Sequence, residues 1–135
     1  DRGEILRGII EGVNYLLYEG VQHLPEVDIN VSSFIPVGGG SKSDVWIQIA
    51  ADVFGVPFTR PEITEAGALG AAILAGVGTG VFASHGEAVS KMVRIDTAFE
   101  PDMKKHAIYR ELFQRYTKLW PLTKDYLKEI ARPVR

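Results

Sequence analysis

Residues 34–55 read FIPVGGGSKSDVWIQIAADVFG: an apolar run, three consecutive glycines, then a segment with helical spacing. Before the glycines, "VSSFIPV" (31–37) mixes β-branched and aromatic residues in the manner of a buried strand ending near Val37. After them, Val45, Ile49 and Val53, with Trp46, Ala50 and Phe54 beside them, recur at spacings that predict a helix. Ser41 or Ser43 is placed to cap it, Asp44 lies where a carboxylate favours the helix dipole, and Gly55 ends it. A strand that feeds a glycine turn and then a helix sets free amides and the positive end of the dipole at the carboxyl edge of a sheet, where a nucleotide can be received. Glycine there lets the backbone approach a ligand and opens positive φ angles. The plainer reading is a tight turn that needs glycine for its own conformation. Because "GGGSKS" matches neither the dinucleotide fingerprint nor the P-loop spacing, pattern alone favours the plain turn.

Upstream, Ile5, Leu6, Ile9, Ile10, Val13, Leu16 and Leu17 predict one broad packing face on a helix from about Gly3 to Val21, followed by a connecting loop "HLPEVDIN" (23–30). Downstream, "VPFTRP" (56–61) reads as a short strand. In "EAGALGAAILAGVGTGVF" (65–82), Gly67, Gly70, Ala71, Leu74, Ala75 and Gly78 recur at helical spacing. Interior glycine costs roughly 1 kcal/mol against alanine, so a face of small residues implies close approach by another backbone or a bound ligand. Ser84 to Met92 suits a further short helix, and "VRIDTAFEP" (93–101) reads as an irregular or extended link. From Pro101 onward, Ile108, Leu112, Phe113, Tyr116, Leu119, Leu122, Tyr126, Leu127 and Ile130 form an apolar stripe that Pro121 should kink or split. The order of elements is an α/β pattern.

With 135 residues and 46% apolar content, the chain suffices for one core or part of one. Fifteen basic against seventeen acidic residues, net −2, give no general nucleic-acid footprint and no electrostatic membrane attraction. The absence of cysteine rules out disulfides and thiolate chemistry. No apolar run approaches the roughly 20 residues of a membrane span, and the start "DRGEILRG" is charged. A cytoplasmic protein is expected. The first residue is not methionine and helical periodicity begins almost at once, so a cut is expected there instead of a natural start.

Several residues invite a chemical reading and receive a structural one. Asp52, Asp96 and Asp102 have no spacing that pairs them with a second carboxylate, and Asp52 is expected to be exposed or to cap. Lys42 reads as a solvated lysine at a helix start, although it can approach a phosphate. His23, His85 and His106 lack ligand spacing. Trp46, Tyr109, Tyr116 and Trp120 read as packing residues, Trp46 having a cleft-bordering alternative.

Taken together, "ILRGIIEGVNYLL" (5–17), "VGGGSKSDVWIQIAADVFGVPF" (37–58), "EAGALGAAILAGVGTG" (65–80) and "HAIYRELFQRYTKLW" (106–120) resemble, in order, the C-terminal domain of the FGGY carbohydrate kinases. The resemblance covers most of the chain, and its motifs in register are more specific than any one alone. It implies part of an actin-like (ribonuclease H-like) ATPase domain, its C-terminal half with closing helices, so that residues 1–135 are a partial nucleotide-binding domain lacking the N-terminal sugar-binding domain. It also implies an ATP-dependent sugar kinase, with ATP and ADP as partners, magnesium as cofactor without a ligand identified in this chain, and the sugar reached through the missing upstream part. A homodimer stays open. Carried over by position, the nucleotide-binding residues are Gly39, Gly40 and Ser41, with Asp44 at a position that is commonly asparagine in glycerol kinases. That departure leaves Asp44 either starting the helix or meeting the ribose or adenine side. The "ALGAA" helix (68–72) would wall the nucleotide. No catalytic residue is assigned, since the family's base toward the sugar hydroxyl lies upstream, and the 135 residues alone are expected to be inert. "SKSDVWIQIAAD" (41–52) is closer to the xylulokinase and broader pentulose or hexulose kinase end of the family than to glycerol kinase. The alternative is a non-catalytic actin-like module for nucleotide binding or protein association.

Overall fold

The computed structural model describes residues 1–131. Helix α1 (Arg2–Val21) opens with a capping box between Asp1 and Glu4. A 3-10 turn (Leu24–Val27) and an extended stretch lead to Phe34, and a second 3-10 turn (Gly39–Lys42) delivers α2 (Asp44–Phe54). Then follow β1 (Phe58–Pro61), α3 (Ala66–Gly78), α4 (His85–Met92), β2 (Ile95–Phe99), α5 (Met103–Tyr116) and α6 (Leu119–Ile130). β1 and β2 pair antiparallel, with Phe58 opposite Phe99 and Arg60 opposite Thr97. Of the two forms expected for "VRIDTAFEP", the extended one is found, as a strand over Ile95–Phe99, because β1 offers it hydrogen-bonding partners, with a shift of register between Arg60 and Pro61.

Residues 31–37 do not form the expected buried strand. Phe34 alone bridges to β1 in parallel, donating to the Pro57 carbonyl at 3.0 Å and accepting from the Thr59 amide at 2.9 Å. Pro36 has no amide to donate, and Ile35 and Val37 remain exposed.

α2 is the centre of the molecule because two of its faces are buried. Ile47, Ala50 and Ala51 pack on Phe58 and Phe99 of the sheet, while Ile49 and Val53 pack on Tyr15 of α1 and Tyr109 of α5. Phe54 touches both clusters. Val45, expected on the packing stripe, points outward. α1 packs by a face other than the aliphatic one. Tyr15 and Tyr18 lie against Phe113, Tyr116 and Phe54 with ring centroids 4.9–5.9 Å apart, and Asn14 is only 1% exposed. Of the predicted aliphatic face, Ile10 packs there, whereas Ile5, Leu6, Ile9, Val13, Leu16 and Leu17 are exposed. Rings fill the space between three helices better than the aliphatic side chains on the opposite stripe. The rim of this junction is polar: Arg7 donates to the Tyr109 hydroxyl at 2.8 Å, and that hydroxyl donates to Glu11 at 2.8 Å.

Asp52 is not exposed. It is 2% accessible in the middle of α2, accepting from Gln48 Nε2 and from the Asp102 amide, both at 2.9 Å. Lys105 Nζ stands 3.7 Å from its other oxygen. Asp52 thus fixes the start of α5, which Asp102 caps by accepting from the Lys104 and Lys105 amides. These amides hold the Asp102 carboxyl below its ordinary range.

α3 packs mainly through Ile73, and a Cβ at Gly67, Gly70 or Gly78 would meet nothing within 4 Å. The close approach occurs instead at Gly76, where a Cβ would fall 2.7 Å from the Phe82 ring. The last apolar segment divides at Thr117–Lys118, and Pro121 is the third residue of α6, a position where no intrahelical amide bond is required. Tyr109 is the buried residue of α5, while Ile108, Leu119, Leu122, Tyr126, Ile130 and Trp120 are exposed. No helix among the described residues is long and apolar enough to cross a membrane.

Candidate functional site

The turn between Phe34 and α2 is built by one obligatory glycine. Gly38 has φ 82° and ψ −167°, a conformation essentially closed to side chains, and its amide donates to the Thr64 carbonyl at 2.9 Å. Ser41, 3% exposed, folds back so that its hydroxyl and amide both donate to the Gly38 carbonyl, at 2.6 and 3.2 Å. Ser43, and not Ser41, caps α2, accepting from the Trp46 amide at 3.3 Å. Gly55 ends α2 in the left-handed region at φ 71°.

Gly39 and Gly40 differ from Gly38. Both have negative φ; a Cβ at Gly39 would meet nothing within 4 Å, and one at Gly40 would rest 3.8 Å from the Trp46 ring. Among the described residues, neither conformation nor an intrachain contact requires glycine at these two positions. The plain-turn reading therefore accounts for Gly38 alone. Trp46 lines this turn and is only partly buried, so it is not the fully packed core residue expected of its helix face.

Two helix starts converge here. The α2 amides carry the Ser43 cap and the Asp44 carboxylate, whereas Glu65 at the start of α3 makes no side-chain cap. Lys42 reaches across to Glu65 at 3.1 Å while remaining exposed. An open apolar groove of about 220 Å³ lies between the extended segment, the end of β1 and α3, lined by Ile35, Val37, Ile63, Leu69 and Ile73.

Sequence reasoning missed Arg60. From β1 its Nη1 donates to Asp44 at 2.6 Å and to the Ser41 carbonyl at 3.4 Å, while Nη2 donates to Asp96 at 3.3 Å and Thr97 at 3.4 Å. Its carbon lies 5.3 Å from the centre of the Phe99 ring. The Asp44 contact foremost raises the guanidinium pKa. The one available signal was an arginine inside the four-residue strand FTRP, the first strand after the glycine turn and α2. The structure thus places Gly39, Gly40 and Ser41 in the turn and Asp44 at the first position of α2, and adds Arg60 as the side chain that fastens both to the sheet. Asp52, Asp102 and His106 belong instead to the α2–α5 junction, where His106 Nδ1 lies 3.1 Å from the Asp52 carbonyl.

The sequence profile described as the FGGY family of carbohydrate kinases, C-terminal domain, matches residues 1–79. The xylulose kinase of Bacillus subtilis is 34% identical over 125 residues, 93% of this chain and 25% of that protein. The autoinducer-2 kinase of Escherichia coli K12 is 46% identical over 84 residues, 62% of this chain and 16% of that protein. The crystal structure of ligand-bound xylulose kinase from Lactobacillus acidophilus superposes with a TM-score of 0.85 at 25% identity, covering 97% of this chain and 26% of that one. The chain spans about a quarter of the length of the xylulose kinases it matches. With more than half of its residues inside the profile, the chain belongs to the FGGY family of carbohydrate kinases, whose actin-like ATPase fold it shares.

Proposed function

We propose that this chain supplies the nucleotide-receiving face of an ATP-dependent sugar kinase, which transfers the γ-phosphoryl group of ATP to a hydroxyl of a sugar or polyol, a pentulose such as xylulose foremost. The observation that carries this reading is the pair Gly39 and Gly40. Among the described residues neither has a conformational or steric reason to be glycine, and the open space beside Gly39 and the Trp46-bordered space beside Gly40 suit a ligand lying against the backbone. Ser41 and the α2 start complete the turn, and the relatives named as xylulose kinases support the pentulose. ATP supplies the transferable phosphoryl group; the turn's share is to bind and orient the nucleotide. Among the described residues no cluster of three or more His, Asp or Glu side chains is able to hold a metal ion, so magnesium is given no ligand in this chain. Nothing in the chain is assigned the role of base toward the sugar.

The test is Gly40→Ala in the kinase that carries this chain. The added methyl group makes an ordinary contact with Trp46, so the fold tolerates it and its effect falls on the ligand. We expect the KM for ATP to rise about tenfold, about 1.4 kcal/mol, with the KM for sugar nearly unchanged. Equal loss of both, or no loss, refutes the assignment.

A further inference from the structure

We infer that Arg60 is the positioning residue of this turn, and that it acts by neutralising Asp44 beside the nucleotide. The inference rests on the nucleotide reading of Gly39 and Gly40. Asp44 brings a negative charge to the place where that reading puts an anionic ligand, and its side chain is 71% exposed. Arg60 is the cation held against it, with a side chain only 16% exposed. One guanidinium nitrogen holds the Asp44 carboxylate and the Ser41 carbonyl, and the other holds Asp96 and Thr97 on β2. A planar fork serves both elements at once, as a lysine's single ammonium does not. The nearby Lys42 is engaged with Glu65. Without Arg60, Asp44 and Asp96 lose the cation they share and the turn loses a tie to the sheet. The first effect penalises ligands by their charge, and the second would penalise every ligand alike.

Steady-state kinetics of the full kinase with Arg60→Met, Arg60→Lys, Asp44→Asn and the Arg60→Met/Asp44→Asn pair separate these, with adenosine as an uncharged competitor. Expected are an ATP KM about tenfold higher in Arg60→Met, about 1.4 kcal/mol, a sugar KM within about twofold, and an adenosine inhibition constant that hardly moves. Adding Asp44→Asn should return the ATP KM to within about threefold of the parent, which a purely structural role would not do. Equal losses for ATP, adenosine and sugar, no loss at all, or a further loss on adding Asp44→Asn overturns the inference. If Arg60→Met does not fold, Arg60→Gln carries the test: a rise in ATP KM that Asp44→Asn removes supports the assignment, and its absence overturns it, while Arg60→Lys, which keeps the charge, should lose less than either. Gly40→Ala measured alongside keeps the two readings apart. If it leaves ATP affinity unmoved, the nucleotide assignment and this inference fall together; if it weakens ATP and Arg60→Met does not, only the inference falls.

Discussion

Replacing Gly55 by alanine should loosen the α2–α5 junction by an amount the geometry allows to be divided. Gly55 closes α2 at φ 71°, and a Cβ there would lie 2.5 Å from His106 Cε1 and 2.8 Å from both ring nitrogens. The backbone term is the left-handed conformation, about 1–2 kcal/mol for a residue with a side chain. The second term is the imidazole, which must move away and so give up the 3.1 Å contact of Nδ1 with the Asp52 carbonyl, worth about 1 kcal/mol. The sum is about 2–3 kcal/mol. Native-state hydrogen exchange of α2 and α5 amides measures it locally, without requiring one unfolding transition for the whole protein. In a His106→Ala background the ring term vanishes, and Gly55→Ala should cost only the backbone term, roughly fivefold less in protection than in the parent. A cost that is the same in both backgrounds, or below about 1 kcal/mol in the parent, would refute the reasoning that His106 seals this helix end.

Two further expectations concern charge and apolar surface. The Asp102 carboxyl is held below its ordinary range by the α5 amides, so its capping contribution is complete above the unfolded-state carboxylate pKa and is lost as pH falls through the lower folded value. Exchange protection at the start of α5 should decline on acidification in the parent and not in Asp102→Asn; the same decline in both would remove Asp102 as the cause. The aliphatic face of α1, with Ile5 67% and Leu6 62% exposed, should make the isolated 135-residue chain bind a hydrophobic dye or self-associate. A dye-silent, monodisperse monomer would show that this face is not a contact surface.

Much of the local structure is legible in the residues themselves. The helix that follows the glycines, its Ser43 cap (one of the two serines offered), the Gly55 stop and the division of the last segment near Pro121 are decided within a few positions of the chain. Periodicity is a local signal, and caps and stops act within one turn. For the same reason the motifs that mark the FGGY family are readable without a structure.

The partner of each face was not legible. α1 has an aliphatic stripe and an aromatic one, and the spacing makes both amphipathic; that Asn14, Tyr15 and Tyr18 face α2 and α5 follows only once Phe54 and Phe113 stand beside them. Asp52 reads as a surface residue until the Asp102 amide, fifty positions away, is brought to its carboxylate. The same holds at the candidate site. The sequence placed Gly39, Gly40, Ser41 and Asp44 in one loop because they are neighbours in the chain. Arg60 joins Asp44 across sixteen positions and Asp96 across thirty-six, and only the pairing of β1 with β2 beside α2 closes those distances. Local pattern fixes the backbone's local path through short-range sterics and hydrogen bonding, whereas a buried charge takes its partner from whichever element the packing sets against it, and that choice belongs to the tertiary structure.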